Sequence, residues 1–393
     1  SLAIGSESIS PFQKTLGLYG PVTHFNVGSN PTGKEIKQIA RSLRDFNLII
    51  AGIENTSQSS RRNFGITDAT RELIKMISEQ PSAFILDIFG NPYSLTKFND
   101  NRNIDAMLVS YEDDPDAKDI SAQIIFGAIE ASGRLPVTAS PQFKAGDGIS
   151  TKPIGRLKYS IPEEVGIPRK ALDTIVKLIH YGIHEEAYPG AQVLLAKDGV
   201  VFFNRSFGYH TYDSTRRVHN DDIYDLASLT KIGATTLAVM DLTEQDQFDI
   251  DLPLSYYLPY LRPSNKRTKI TREILAHQAQ FQPWIPFYWK TRVEDELDPM
   301  IYSTSKKDGF NTMVARNLYI VDNYRDSIFD TIVSSELLEK REYKYSDIGF
   351  YLLCDALEKV TKKPFDQYVF ENYYAPMGLT TMGYKPLDRL DKA

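Results

Sequence analysis

The sequence predicts an α/β sandwich built on a mostly parallel sheet, followed by an α+β domain. Three observations carry this. Continuous apolar runs of strand length alternate with helical periodicity over about the first 140 residues. Lys144–Tyr159 (KAGDGISTKPIGRLKY), rich in Gly, Ser and Pro and without period, then interrupts the pattern. Beyond it come a strand pair with a hairpin turn and two strongly apolar helices. The expected division is a first domain over residues 1–143, a linker over 144–159 and a second domain over 160–393.

Composition narrows the function. The 393 residues hold 45 Lys+Arg against 51 Asp+Glu, and 42% are hydrophobic. That is an ordinary globular chain, mildly acidic, which argues against a nucleic-acid partner. No apolar run reaches the length of about 18 residues that a transmembrane helix needs. Ser1–Gly5 has no basic region of the kind that opens a signal peptide. The single cysteine, Cys354, excludes an internal disulfide and reads as a small buried hydrophobe. Six scattered histidines show no metal-ligand spacing, and the chemistry below needs neither metal nor organic cofactor.

In the first domain, Asn47–Ile53, Ser82–Phe89 and Ala106–Tyr111 read as buried strands. Thr67–Gln80 and Ala117–Ser132 read as helices, the first capped by Thr67 or Asp68 and the second closed by Gly133. The chain is expected to open inside its first strand, as part of a longer protein. In the second domain, Ala191–Lys197 and Val200–Phe207 form a hairpin through Asp198-Gly199. Ser228–Leu242 and Asp347–Val360 read as apolar helices, the first too apolar for the surface. Phe281–Lys340 between them is long, aromatic and irregular, and loops of that length are usually functional lids or disordered. Its Trp284–Trp289 run (WIPFYW) is too apolar to be simply solvated, and Trp284 reads as a candidate substrate-binding residue.

Gly28–Glu35 (GSNPTGKE) nearly spells a phosphate-binding loop. Glu35 in the last position supplies no hydroxyl for a metal and repels phosphate, so a helix start with Asn30 as cap fits better. The acidic run Glu112-Asp113-Asp114 reads as a solvated patch and supplies no glycosidase residue.

Ser-x-x-Lys sets a hydroxyl and an amine one turn apart on a helix face. There the amine can take the proton that a serine nucleophile must lose. The pattern occurs three times, at Ser94, Ser228 and Ser303. Ser94 follows a turn-like run and reads as local capping. Ser303 lies in a polar stretch and reads as solvated loop. Ser228 follows strand-like residues and heads an apolar helix, so it is the candidate nucleophile, with a plain N-cap serine as the alternative. Lys231, with a pKa expected to be lowered by burial and the helix terminus, is its candidate base. Tyr345-Ser346-Asp347 stands before the second apolar helix. Tyr345 is a candidate proton relay, and Asp347 reads as a helix cap that can coexist with a site role. His277, at the end of a helical run, reads as structural.

These residues carry two resemblances. From about Lys158 to Ala393 the chain resembles the serine β-lactamase and penicillin-binding-protein superfamily, especially its class C-like and esterase branch. PGAQVLLAKDGVVFFNRSFGY (Pro189–Tyr209), DLASLTK (Asp225–Lys231), FDIDLPLSYYLP (Phe248–Pro259), ILAHQAQF (Ile274–Phe281), YSDIGFYLL (Tyr345–Leu353) and MGLTTMGY (Met377–Tyr384) follow in the family's order. The resemblance implies Ser228 as the acylated nucleophile, Lys231 as its base and Tyr345 as the relay. Asp347 stands where many members carry Asn, which makes it a candidate substrate-binding residue. Gln280 stands where relatives usually have Gly. No K-T-G or H-x-G triplet follows Tyr345, and His180-Tyr181-Gly182 matches the letters only upstream, in a helix. The segment is also short for this fold, so the domain is expected to be C-terminally truncated. From Ser1 to about Phe143 the chain resembles the C-terminal α/β domain of family 3 glycoside hydrolases. LIIAGIENTSQ, FILDIFGNPYSL, AMLVSYEDD and GAIEASGRLPVTAS carry this likeness. Together they imply part of a β-N-acetylglucosaminidase fused to a serine hydrolase. Such a protein is expected to be periplasmic or otherwise extracytoplasmic, with small-molecule or peptidoglycan-derived substrates. A non-catalytic binding or scaffolding module is the alternative.

Overall fold

The computed structural model describes residues 1–100 and 102–390. The chain packs as two compact units, Ser1–Asp222 and a second beginning at Ile223. Among the described residues no helix is long and apolar enough to cross a membrane.

The first unit is built on five strands in the order β2-β1-β3-β4-β5, every pairing parallel. They are β1 (Leu2–Ile4), β2 (Phe25–Val27), β3 (Leu48–Ile53), β4 (Ala83–Ile88) and β5 (Ala106–Val109). The helices are α1 (Pro11–Gly17), α2 (Gly33–Ser42), α3 (Asp68–Ser78) and α4 (Pro115–Ile125). Alternation along β3 explains the layering. Ile49, Ala51 and Ile53 meet Ile36 of α2 and Leu73, Ile74 and Ile77 of α3. Ile50 turns the other way, onto Phe12 and Leu16 of α1 and Ala122 of α4. With both faces buried, each strand needs apolar residues throughout, and so it reads as one continuous run.

Several local expectations change. The cap of α2 is Thr32, not Asn30. Its hydroxyl accepts from the Glu35 N–H, and the Glu35 carboxylate accepts from the Thr32 N–H, closing a capping box. That reciprocal pair accounts for Glu35. The fourth helix starts at Pro115, with Asp114 as cap accepting from the Ala117 N–H at 2.8 Å, and it ends before Gly127 rather than Gly133. Asp113 sits 2.6 Å from the Lys118 ammonium, which also reaches Glu54 at 3.0 Å. Two members of the acidic run therefore hold structure instead of forming a solvated patch. Ser94 is buried, its hydroxyl unpartnered, and the capping there comes from Asn91.

Asp87 on β4 is fully buried, and its carboxylate accepts hydrogen bonds from the Ser110 and Ser121 hydroxyls. Burial pushes its pKa up to about 6, the two serines only partly opposing the shift. A carboxyl raised on folding costs stability wherever it ionises. The penalty is absent below the unfolded value near 4 and complete above about pH 6. Asp87→Asn should therefore stabilise the first unit at pH 7.5 by on the order of 3 kcal/mol relative to its effect at pH 4. Thermal unfolding at the two pH values checks this, and equal effects at both would contradict it.

Residues 144–157 have no helix or strand and are exposed almost throughout, with Ile149 at 83% and Ile154 at 71%. Low-dose proteolysis should cut there first. A first cut inside Ile66–Phe89 would contradict the reading of 144–159 as a linker. Strand β6 (Lys158–Tyr159) and helix α5 (Arg169–His184), which holds His180–Gly182, follow. Then β7 (Gly190–Lys197) and β8 (Val200–Gly208) pair as an antiparallel hairpin. Asp198 (φ +53°) and Gly199 (φ +79°) both take left-handed conformations at its turn, as a tight hairpin demands.

In the second unit, residues 229–244 form one helical run, a π-helical stretch (Lys231–Thr236) continuing into α6 (Leu237–Glu244). Its buried side, Ala234, Ala238, Val239 and Leu242, packs in one core with Leu352, Leu353, Ala356 and Leu357 of a helix over Ile348–Thr361. The run is not buried all round. Leu229, Ile232 and Met240 are each more than 60% exposed. After α7 (Thr271–Leu275), the segment expected to be irregular holds organised structure. It contains a β9 (Arg292–Val293) and β10 (Glu296–Leu297) pair. It also contains a three-stranded antiparallel sheet of β11 (Tyr302–Ser303), β12 (Thr312–Ala315) and β13 (Leu318–Ile320), and helix α8 (Tyr324–Ser334). Ser303 lies buried in β11 and donates to the Ser305 carbonyl, so it is not a solvated loop serine. Helices α9 (Ile348–Thr361) and α10 (Phe365–Val369) complete the core.

Candidate active site

The five candidate site residues, Ser228, Lys231, Tyr345, Asp347 and Trp284, all lie in the second unit. Ser228 sits in the turn that starts the helical run, directly after Ala227, whose φ of +44° is strained for a residue with a Cβ. One turn on, the Lys231 ammonium donates to Ser228 Oγ at 3.0 Å. It also sits 2.6 Å from Asp347 Oδ1. It lies 5.2 Å from the Tyr345 ring centre and 5.6 Å from that of Phe350. Ser228, Lys231, Tyr345 and Asp347 thus form one cluster.

The loop that brings Tyr345 and Asp347 there is pinned through its middle residue. Ser346 is buried. Its N–H donates to His277 Nδ1 (3.2 Å), its hydroxyl donates to the Gln282 carbonyl (2.6 Å), and its oxygen accepts from the Ile348 N–H (3.2 Å). Ser346 thus occupies the orphan N–H at the start of α9. Asp347 makes no side-chain cap, against the expectation, and its carboxylate turns to Lys231. His277 stacks on Tyr345 with ring centres 4.4 Å apart. It has a structural role, as expected, but its place is inside the site. A lone histidine at a helix end gave no signal of that position. Gln280, with φ at +64°, explains why a glycine suits this position. Here the side chain offsets the strain, donating to the Leu338 carbonyl and accepting from Lys269, both at 2.8 Å.

The electrostatics depart from the sequence expectation. Burial alone draws the Lys231 pKa down, but the Asp347 carboxylate and the Tyr345 phenol outweigh it and hold the lysine above its ordinary range. Tyr345 moves the opposite way. Hydrogen bonds with Ser228 and Lys231 hold its phenol below its usual value. Burial and the Lys231 charge together keep His277 below the ordinary imidazole range. Chemically, the cluster offers a hydroxyl at a helix start, a cation beside it and a phenol that loses its proton more readily than usual.

Trp284 stands at 53% exposure on a cleft whose lining also includes Asp347. The Asp347 N–H donates to the Pro283 carbonyl at 2.8 Å, so the cleft wall and the Ser-Lys-Asp cluster share a backbone link.

A family model for "Beta-lactamase" matches residues 173–393, more than half of the chain. The chain belongs to the beta-lactamase family. Ahead of that domain, a "Glycosyl hydrolase family 3 C-terminal domain" model matches residues 26–177, so the order of the two families is the expected one. Curated relatives include a "Putative D-alanyl-D-alanine carboxypeptidase" of Salmonella gallinarum, 27% identical over 245 residues. Another of the same description, from Escherichia coli K12, is 27% identical over 244 residues. Each match covers 59% of this chain and 51% of the relative, so this beta-lactamase-family chain spans about half the length of those relatives. A solved octameric penicillin-binding protein homologue from Pyrococcus abyssi is 20% identical, with 56% of this chain and 46% of that one covered and a TM-score of 0.42.

Proposed function

We propose that this chain is an acyl-enzyme hydrolase of amide or ester bonds. Ser228 attacks the carbonyl, and its proton passes to the Tyr345–Lys231 pair, which titrates as a unit. Tyr345 then protonates the leaving group, and water releases the acyl group. The Ser228 N–H at the helix start is one donor to the developing oxyanion. The observation that carries the reading is the Lys231 ammonium 3.0 Å from Ser228 Oγ, with Tyr345 against both. The pairing with a family 3 domain and the carboxypeptidase descriptions of relatives support cell-envelope material as the target, outside the cytoplasm. Turnover is expected to be slow, because Lys231 is held by Asp347.

The test is pre-steady-state hydrolysis of p-nitrophenyl acetate. The reading predicts a burst of about one p-nitrophenolate per chain and a matching acetyl mass adduct. No burst and no adduct would overturn it in favour of a non-catalytic binding module. The Lys231–Asp347 pair is the observation that favours that second reading.

A further inference from the structure

We propose that the aromatic cleft beside Asp347 receives the acyl group of an uncharged ester or amide, and that the site thereby selects donors with an apolar acyl group over donors whose acyl group is small or carries a carboxylate. The inference rests on the acyl-transfer reading above and names the substrate class of the same site. The cleft measures about 340 Å³, in the range of small-molecule sites. Trp284, Phe287, Tyr288, Tyr302, Tyr324 and Tyr351 form much of its lining. Edge-to-face contacts tie these walls together. Trp289 meets both Trp284 and Tyr288 with ring centres at 6.2 Å, and Phe287 meets Tyr351 at 5.6 Å.

The polar atoms of the wall are largely used within it. The Tyr324 hydroxyl donates to the Phe287 carbonyl (2.6 Å), and the Thr291 hydroxyl donates to the Tyr288 carbonyl (2.7 Å). The Tyr302 hydroxyl in turn donates to Thr291 Oγ (3.3 Å). What remains to meet a ligand is mostly ring carbon. Among the described lining residues, Asp347 alone is charged, and its Oδ1 lies 2.6 Å from Lys231. A ligand carboxylate in this cleft would lose hydration, meet no cation on the lining and face a like charge. An alkyl or aryl acyl group would exchange water contact for ring contact at every carbon. Asp347 is shared by the cleft and by the cluster of Lys231 and Ser228, which sets the cleft beside the attacked carbonyl, and the proposal places the acyl group there. In the step itself, the Ser228 Oγ–acyl carbon bond forms and the ester C–O bond breaks. The alcoholate leaves with the electron pair, and the serine proton goes to the Tyr345–Lys231 pair.

The experiment compares acylation of residues 1–393 by p-nitrophenyl hexanoate, by p-nitrophenyl acetate and by the mono-p-nitrophenyl ester of adipic acid, whose acyl group ends in a carboxylate. Burst kinetics and intact mass read all three. Hexanoate should acylate at least about tenfold faster than either of the others. Tyr288→Ala, at an exposed ring, should reduce the hexanoate-to-acetate ratio to within about threefold, and Tyr288→Phe should keep it. Equal rates for hexanoate and acetate, or the adipate monoester matching or outrunning hexanoate, would overturn the inference while leaving the acyl-transfer reading intact. No adduct on Ser228 with any of the three would overturn that reading, and this inference with it.

Discussion

Ser228→Ala should lower covalent labelling of the chain by a fluorophosphonate by at least about a thousandfold. Of the three Ser-x-x-Lys serines, Ser228 alone has its hydroxyl hydrogen-bonded to its own lysine, at 3.0 Å. Ser94 is buried in the first unit, and Lys97 donates instead to Asn63 Oδ1 at 2.9 Å. Ser303 spends its proton on the Ser305 carbonyl. Ser94→Ala should therefore leave labelling unchanged, and this control separates loss of the nucleophile from loss of a surface reaction. Equal labelling of the two variants would remove Ser228 from the site.

Asp347→Asn should make the same labelling faster near neutral pH, by roughly tenfold for each unit by which the acid limb moves. The sign follows from the charges. The carboxylate 2.6 Å from Lys231 stabilises the protonated Tyr345–Lys231 pair, and it opposes proton loss from either member. A proton acceptor held protonated works only at higher pH. Removing the negative charge lowers the pKa of the pair, so the acid limb of the rate–pH profile moves to lower pH whichever member takes the proton. An unmoved limb would show that Asp347 does not govern the pair. A fall in rate at every pH would show that the carboxylate itself is needed, as a ligand to substrate or to hold Lys231 in place.

The legible parts of this molecule share a physical cause. Strands β3 and β4 stand out because a parallel strand covered on both faces needs apolar residues at nearly every position, and Ile49–Ile53 and Phe84–Ile88 comply except at Gly52 and the buried Asp87. The hairpin stands out because Asp198-Gly199 tolerates two left-handed residues in succession. The segment from 282 to 335 was opaque for the opposite reason. Strands of two to four residues are too short for a period of two to repeat, so the packing of Trp289 against Trp284 and Tyr288 is invisible in one dimension. Helix starts suffered where two cues compete. Pro31 drew attention to Asn30, while the Thr32–Glu35 capping box lay hidden in an apparent phosphate loop.

In the site, residue types were readable and charge states were not. Ser228, Lys231, Tyr345 and Asp347 are brought together by two segments more than a hundred residues apart in sequence. The position of Lys231 at a helix start suggests a lowered pKa. Asp347 reverses the direction, because its carboxylate is free to reach the amine once Ser346 has taken over the cap of α9. That exchange of roles between neighbours exists only in three dimensions, as does the stacking of His277 on Tyr345.

Peptide mapping of the fluorophosphonate-treated chain by tandem mass spectrometry separates the three Ser-x-x-Lys serines. The phosphonyl group should lie on the peptide carrying Ser228, with the peptides carrying Ser94 and Ser303 unmodified. Modification at Ser94 or Ser303 with Ser228 left free would exclude Ser228 as the nucleophile.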